Sequence, residues 1–273
     1  MDTEAVRALF DRQMRREAPA DGPGVVVERV GAVVRQTTTT GGPGADEAAD
    51  EAVAGGWNGV LWSDLDPDSA DAAIAEQVRH FTSLGLEFEW KLYSHDGPRD
   101  LARRLEAAGF TPEPPETLMI AEAAALPKQV ALPEGVRLIA VTDAAGAELM
   151  AEVHERAFGA DRSHTRERLL AQLAAAPGDV AAAVAMAGDV PVSAARMELP
   201  TGTEFAGLWG GGTVPAWRGR GLYRALVAFR THLAAERGYR YMQVDASSQS
   251  RPILLRLGFE ELSTTTPYVH TPG

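Results

Sequence analysis

The chain has no cysteine among its 273 residues. This absence excludes disulfides, thiolate-based zinc sites and a thiol nucleophile. A run of about 18 apolar residues is also missing, so the sequence predicts no helix that spans a membrane. Residues 1–4 show neither a basic leader nor an apolar segment. We therefore expect a cytoplasmic protein without a signal peptide and without a membrane partner.

Positive charge is scarce as well. The 26 Lys and Arg residues stand against 38 Asp and Glu residues, which gives a net charge of −12 and argues against nonspecific nucleic-acid binding. The deficit lies in residues 1–128, with 23 acidic and 12 basic side chains, whereas residues 129–273 hold 15 and 14. An acidic half either attracts a cationic substrate or keeps the surface solvated, and the sequence leaves both interpretations open.

Glycine and arginine concentrate in one stretch, residues 213–226. It follows an apolar run broken by glycines and precedes apolar residues spaced by three and four, which predicts a strand, a turn and a helix. Gly219 and Gly221 lie in the turn, where the lack of a Cβ lets a ligand approach successive backbone N–H groups. Together with the helix dipole and the charges of Arg218 and Arg220, this turn predicts an anion site suited to a pyrophosphate.

This stretch, the strand after it and the Gly258-Phe259 pair resemble the GNAT superfamily, the Gcn5-related N-acetyltransferases. The cofactor motif of that family is Arg/Gln-x-x-Gly-x-Gly/Ala. Arg218 and Gly221 match it, whereas Tyr223 stands at the last, normally small, position. The order of predicted elements over residues 135–271 is similar to the complete family layout. The resemblance implies acetyl-CoA as co-substrate and no metal.

The first half of the chain repeats part of this order. A helix, Gly85, an alternating strand, a helix and Gly109-Phe110 parallel a helix, Gly238, a strand, a helix and Gly258-Phe259. In place of the arginine-glycine turn, residues 63–68 carry three carboxylates, which would repel a pyrophosphate. An unrelated α+β domain with a coincidental Gly-Phe pair is the alternative interpretation.

We therefore predict an α+β fold of two GNAT-like lobes, each a mixed, mostly antiparallel sheet flanked by helices. Residues 1–125 form the degenerate lobe, residues 126–134 the linker, and residues 135–273 the complete N-acetyltransferase domain.

The resemblance also implies a binding site for acetyl-CoA. In the family, the fourth strand is splayed from the fifth and pairs with the pantetheine arm, and the turn holds the pyrophosphate. The run Gly210–Gly212 is poor strand material, so it is either a frayed strand or a bulge where a ligand approaches. The residues assigned to the cofactor are Gly212, Thr213, Val214, Arg218, Gly219, Arg220, Gly221, Leu222, Tyr223 and Ser247.

The catalytic groups are less defined. Leu254 stands where many relatives have the tyrosine that protonates the leaving thiolate. Glu204, which opens the fourth strand, and Tyr268, on the last strand, are the candidates for acid–base work. Their alternative interpretations are a strand-end charge and an edge-strand residue. Asp245 faces either the core or the site, and His154 is interpreted as a surface residue.

Three functions fit this sequence. The first is transfer of an acetyl group to the primary amine of a small molecule by direct attack in a ternary complex, with the N-terminal lobe shaping the acceptor site. The second is a non-catalytic acyl-CoA sensor or partner-binding module. The third is acetylation of a protein or peptide amine. A monomer and a homodimer are both compatible with the sequence.

Overall fold

The computed structural model describes residues 1–20, 22, 24–38, 57–159 and 163–272. The threonines, glycines and acidic residues of residues 37–56 predict a loop. Most of this segment lies outside the described residues, and Thr37 and Thr38 end a strand. No helix in the described part of the chain is long and apolar enough to cross a membrane.

The N-terminal half starts with a helix whose first N–H groups are capped by Asp2, which accepts a hydrogen bond from Ala5 N–H at 3.1 Å. The runs Val25–Val27 and Ala32–Val34 around residues 29–31 predict a hairpin. The hairpin is present, with Gly31 at φ +60°. The elements of this half are α1 (Thr3–Phe10, continued by a π-helical segment, Asp11–Arg16), β1 (Val25–Val30), β2 (Val33–Thr38), β3 (Gly59–Ser63), α2 (Ala70–Ser83), β4 (Phe88–Tyr93), α3 (Leu101–Ala107), β5 (Thr111–Pro112) and β6 (Glu116–Glu122).

The C-terminal half contains every element that the sequence predicts for it. Asp143 caps its first helix by accepting a hydrogen bond from Gly146 N–H at 2.9 Å, as the sequence predicts. The elements are β7 (Val136–Ala140), α4 (Ala144–Phe158), α5 (Ser163–Ala175), β8 (Val180–Ala187), β9 (Val190–Glu198), β10 (Phe205–Thr213), a 3-10 helix (Pro215–Trp217), α6 (Leu222–Glu236), β11 (Tyr241–Ala246), α7 (Arg251–Leu257) and β12 (Glu260–His270).

Among the described residues, all twelve strands belong to one sheet, in the order β1-β2-β3-β4-β12-β6-β11-β10-β9-β8-β7, with β5 beside β12. The two halves exchange their last strands. β6, from the N-terminal half, pairs with β11 of the C-terminal half, and β12, from the C-terminal half, pairs with β4 of the N-terminal half. The sheet therefore runs through both halves without a break.

The predicted repeat is confirmed. In each half a strand, a helix and a parallel strand follow one another, as β3-α2-β4 and β10-α6-β11, and a shorter helix and a last strand complete the unit. The α+β fold with two GNAT-like units is therefore as predicted. The boundary at residues 126–134 stays a prediction. The strand exchange was not foreseen, because a strand's own sequence does not specify which neighbour it pairs with.

Helices cover both faces of the C-terminal sheet. Because neighbouring side chains of a strand point to opposite faces, Leu208 packs under α6 while Phe205 points to the other side. There Phe10 of α1 meets Phe205 edge-on, with 5.5 Å between ring centroids, and Phe205 stacks on Tyr241 at 5.1 Å. α4 and α5 lie on the same face as α1. Between α1 and α5 this face holds a cavity.

Candidate functional site

The strands β10 and β11 form an open wedge. They pair in parallel over three residues, Phe205–Gly207 with Tyr241–Gln243, and then diverge. β10 changes register against β9 between Trp209 and Gly212, and Gly210 has φ +57°. The glycine run is therefore a bulge inside the strand and not a frayed end. The expected splay is present.

Helices pack against this bulge from two sides, which explains its glycines. A Cβ on Gly212 would lie 2.9 Å from Phe158 Cε2 of α4, and a Cβ on Gly211 would lie 3.0 Å from Tyr223 Cε2 of α6. A larger residue at either position would require the ring of Phe158 or Tyr223 to shift. Close packing of the protein itself therefore selects glycine here, apart from any ligand.

His154 fastens the bulge, so its interpretation as a surface residue was wrong. The side chain is 3% exposed, and its Nε2 lies 2.7 Å from the carbonyl oxygen of Gly210. Because a carbonyl can only accept, Nε2 carries the proton. The sequence signal was the spacing of His154 from Met150 and Val153, which are both buried on α4.

The turn after β10 has the backbone of an anion site. Gly219 and Gly221 have φ +75° and +84°, a left-handed conformation that other residues adopt only with strain. Gly221 caps α6 without any side-chain hydrogen bond, and the helical ladder begins with Ala225 N–H donating to Gly221 O at 3.0 Å. The N–H groups of residues 222–224 precede that ladder and lie at the positive end of the helix.

The two arginines of the turn contact the protein. Arg218 donates to the carbonyl of Thr213 from Nε at 3.1 Å and to that of Ala157 from a terminal nitrogen at 3.1 Å. Its guanidinium therefore ties the turn to α4. Arg220 stacks over the ring of Trp217, 4.5 Å from its centroid. Their predicted contacts with a pyrophosphate stay predictions.

The remaining residues assigned to the cofactor differ in which of their groups are accessible to a ligand. Leu222 is 1% exposed and its side chain belongs to the core, which leaves its backbone N–H for a ligand. Tyr223 lies beside Gly211, and burial raises the pKa of its hydroxyl. Ser247 is exposed just past the end of β11. Thr213 shares a 2.7 Å hydrogen bond with Ser193, and Val214 is buried in the core.

A cavity of about 730 Å³ lies between the two halves, on the face of α1 and α5. This volume is typical of sites for small molecules. Its floor is formed by β4, β6, β10 and β11, which bring together Lys91, Glu116, Trp209 and Asp245. Met14 and other apolar side chains line the walls of the cavity.

An ion pair crosses the cavity floor. Lys91 Nζ donates to Asp245 Oδ2, and their side chains are 18% and 3% exposed. Burial lowers the pKa of Lys91, but the attraction of Asp245 and Glu89 outweighs it and raises the pKa above its usual value. Within the described residues, Asp245 Oδ1 has no hydrogen-bond partner, although it is buried. Asp245 is also one of the residues that line the cavity.

Two more carboxylates on this floor have altered acidity. Burial and the charge of Asp245 together raise the pKa of Glu116 to about 7, although Lys91 acts in the opposite direction. Burial also raises the pKa of Glu89, which accepts a hydrogen bond from Trp57 Nε1 at 2.8 Å. Sequence reasoning missed this cluster. The period of two in a strand places Glu116 on the same face as Leu118 and Ile120, but the exchange that places β6 beside β11 is not visible in the sequence.

The structure does not bring the two predicted catalytic residues to this site. Glu204 lies at the start of β10, about 20 Å along the strand from the bulge. There its backbone N–H donates to the side chain of Gln13, and its own side chain approaches Arg240 at 3.7 Å. Tyr268 pairs with Trp90 on β4 and is 6% exposed in the N-terminal core, because β12 has moved to that half. Neither residue lines the cavity. This placement argues against a catalytic role for either.

The wedge, the glycine turn and the following helix define the GNAT N-acyltransferase fold, and the chain carries it in tandem. A GCN5-related N-acetyltransferase from Kribbella flavida is similar over 100% of this chain and 96% of its own, with 20% identity and a TM-score of 0.69. A tandem GNAT protein from the clavulanic acid biosynthesis pathway is similar over 100% of this chain and 88% of its own, with 14% identity and a TM-score of 0.58.

A GCN5-related N-acetyltransferase from Sphaerobacter thermophilus covers 78% of this chain and 71% of its own, with 17% identity and a TM-score of 0.57. No protein-family model and no curated protein matches the sequence. At these identities the likeness shows the fold, and the chemistry has to be argued from the site.

Proposed function

We propose that this protein is an N-acetyltransferase that transfers the acetyl group of acetyl-CoA to the primary amine of a small molecule, by direct attack in a ternary complex. One observation carries the proposal, namely that the wedge between β10 and β11 opens into the cavity between the halves. Trp209 on β10 and Ser247 just past β11 flank the wedge and also line the cavity. A thioester in the wedge would therefore lie next to an amine in the cavity.

The turn fits the phosphates of CoA. A Cβ at Gly219 would meet no atom within 4 Å, so the backbone there is open to a ligand. The N–H groups of residues 222–224 point out of the helix start and favour a negative group. Acetyl-CoA supplies the activated acyl group, and the protein's part is to hold and orient it.

The bulge suits polarisation of the thioester carbonyl. In the pairing of β9 with β10, Gly210 and Gly211 have no register partner. Their backbone groups border the wedge instead of completing the ladder. We assign to the N–H groups of this bulge the stabilisation of the negative charge that develops on the carbonyl oxygen during attack.

The shape of the cavity favours a small acceptor over a peptide. Both halves line it, and the π-helical segment and α5 stand over the floor. A volume of about 730 Å³ suits a compact molecule. Acetylation of a protein or peptide would call for an open groove along the C-terminal half.

The second candidate, a non-catalytic acyl-CoA sensor, has one observation in its favour. Leu254, at the position of the family's usual acid, is fully buried in the core. The ring of Tyr223 packs beside Gly211 of the bulge, and burial raises the pKa of its hydroxyl, which therefore carries a proton at neutral pH. We assign protonation of the leaving thiolate to Tyr223. A Tyr223→Phe variant should bind acetyl-CoA as the wild type does and turn over more slowly, on the order of tenfold, because a thiolate is a fair leaving group.

Calorimetric titration with acetyl-CoA, followed by a free-thiol assay across primary amines, tests the proposal. We expect one acetyl-CoA per chain and thiol release with a subset of the amines. Binding without release on any amine would favour the sensor. No binding would contradict the cofactor site itself.

A further inference from the structure

The strand exchange places a carboxylate of the N-terminal half at the wedge of the C-terminal half. β6 runs antiparallel to β11, with Thr117 opposite Ala246. Glu116, the first residue of β6, therefore lies level with the end of β11, at the edge where β10 and β11 have separated. The same edge carries the glycine turn, because β10 and β11 are parallel.

A second, independent feature points to a ligand at this edge. Asp245 is 3% exposed, and one carboxylate oxygen is bound by Lys91. The other oxygen is buried and, among the described residues, lacks a donor. A buried acceptor without a donor costs about 1–3 kcal/mol. A cationic group in the cavity would supply that donor.

Resting on the proposed function, we propose that Asp245 and Glu116 bind the ammonium group of the acceptor at the mouth of the wedge, and that Glu116 takes its proton before the nitrogen attacks. The acceptor is a primary amine with an apolar body, since Phe10, Met14 and Leu61 line the same cavity. The carboxylate end of the cavity would bind the charge and the apolar wall would bind the rest of the molecule.

The proton and the electron pairs balance in this scheme. The ammonium group gives one proton to the Glu116 carboxylate and becomes a neutral amine. The amine nitrogen forms a bond to the thioester carbonyl carbon, and the carbon–sulfur bond breaks. Tyr223 gives its hydroxyl proton to the CoA thiolate and takes up the second proton of the nitrogen, and Glu116 returns its proton to solvent.

Glu116 suits the base role better than its neighbours do. Asp245 is neutralised by Lys91, and Glu89 is held by Trp57. Glu113 lies exposed at the rim. Glu116, which burial and Asp245 give a pKa of about 7, is poised to gain and lose a proton near neutrality.

The charged groups that face this carboxylate come from several elements. Glu89, Lys91 and Asp245 lie on the floor and Glu113 lies at the rim. Across the cavity, α5 and β9 contribute Arg168, Arg196 and Glu198, of which the last contacts both arginines.

The test compares Glu116→Gln with wild type, using phenethylamine and hexylamine as acceptors. Glu122→Gln is the control, because Glu122 lies at the other end of β6, is 43% exposed and does not line the cavity. We expect kcat/KM of Glu116→Gln to fall on the order of a hundredfold or more, with an unchanged Kd for acetyl-CoA. Glu122→Gln should keep the wild-type rate. The uncharged phenethyl alcohol should not compete.

The pH profile separates a base from a merely structural residue. Wild-type kcat/KM should rise with pH through about 7, as Glu116 loses its proton. In Glu116→Gln this limb should vanish and the rate should follow deprotonation of the free amine, near pH 10. Glu116→Asp should restore a limb near neutrality.

Three results would overturn the inference. The first is an unchanged rate and pH limb in Glu116→Gln. The second is acetyl-CoA binding without reaction on either amine. The third, no acetyl-CoA binding by the wild type, would defeat the proposed function as well, and the titration identifies that case before any amine is added.

Discussion

The two halves of the molecule share one backbone arrangement, but they differ at the turn before the helix, where the backbone N–H groups could bind an anion. In the C-terminal half, the start of α6 has no side-chain cap and offers its N–H groups. In the N-terminal half, the carboxylate of Asp66 occupies the corresponding place just before α2. It accepts hydrogen bonds from the N–H groups of Asp68 and Ser69, both at 2.8 Å. The C-terminal turn has no side-chain acceptor for its N–H groups, whereas the N-terminal turn is capped by the carboxylate of Asp66.

The wedges differ in the same way. β3 and β4 pair in parallel at Gly59 and Val60 alone and then separate, as β10 and β11 do. Arg15 enters this space, donates from Nε to Leu61 O at 3.0 Å, and lies over the ring of Tyr93, 3.9 Å from its centroid. Whether such a unit binds a ligand is therefore decided by side chains that fill the space, since the backbone frame is common to both.

The largest effect is expected from a side chain that blocks the backbone of the C-terminal turn. Gly221→Val places a β-branched residue at φ +84° and should abolish acetyl-CoA binding in calorimetry. Gly238→Val is a matched control, because Gly238 also has φ +84° and ends the same helix. Both variants should lose about 1–3 kcal/mol of unfolding free energy, but Gly238→Val should keep its affinity. Retained affinity in folded Gly221→Val would contradict the cofactor assignment.

The next largest effect is expected when the Arg15 side chain is removed from the N-terminal wedge. Arg15 and Asp96 are each 2% exposed and form an ion pair at 2.7 Å. Arg15→Met should cost about 3–5 kcal/mol of unfolding free energy, because it leaves the carboxylate of Asp96 buried without its partner. Arg16→Met, at an exposed neighbour, should change it by less than about 0.5 kcal/mol. Denaturant unfolding measures the stability of both variants, and equal midpoints would contradict a stabilising role of Arg15 in the N-terminal wedge.

Local pattern predicted most of this fold and the cofactor turn. The spacing of apolar residues predicted the helices and strands, and Gly219 and Gly221 predicted the turn between β10 and α6. The carboxylate cluster on the cavity floor was not predictable in this way. Glu204 and Tyr268 were assigned from their positions in one half, whereas the exchange of β6 and β12 removes Tyr268 from the site and brings Glu116 to it. Which strands pair depends on contacts between distant residues, and no local pattern records them.

The smallest effect tests the carboxylate that caps the N-terminal turn. Asp66→Ala should lower the melting temperature slightly, because the N–H groups of Asp68 and Ser69 lose their acceptor. The hydrogen bond from Ser69 lowers the pKa of Asp66, so this contribution is present at neutral pH and is lost as the pH falls below the usual aspartate range near 4. Melting curves of wild type and variant should therefore converge in acid.

The same variant asks whether removing one carboxylate restores a second cofactor site. We expect titration with acetyl-CoA to stay at one per chain in Asp66→Ala, because Asp64 and Asp68 still repel phosphates and Arg15 still fills the wedge. Asp64→Ala, which removes a carboxylate without a described capping contact, should change neither stoichiometry nor melting temperature. Two molecules per chain in Asp66→Ala would mean that the capping carboxylate alone had kept the N-terminal unit empty.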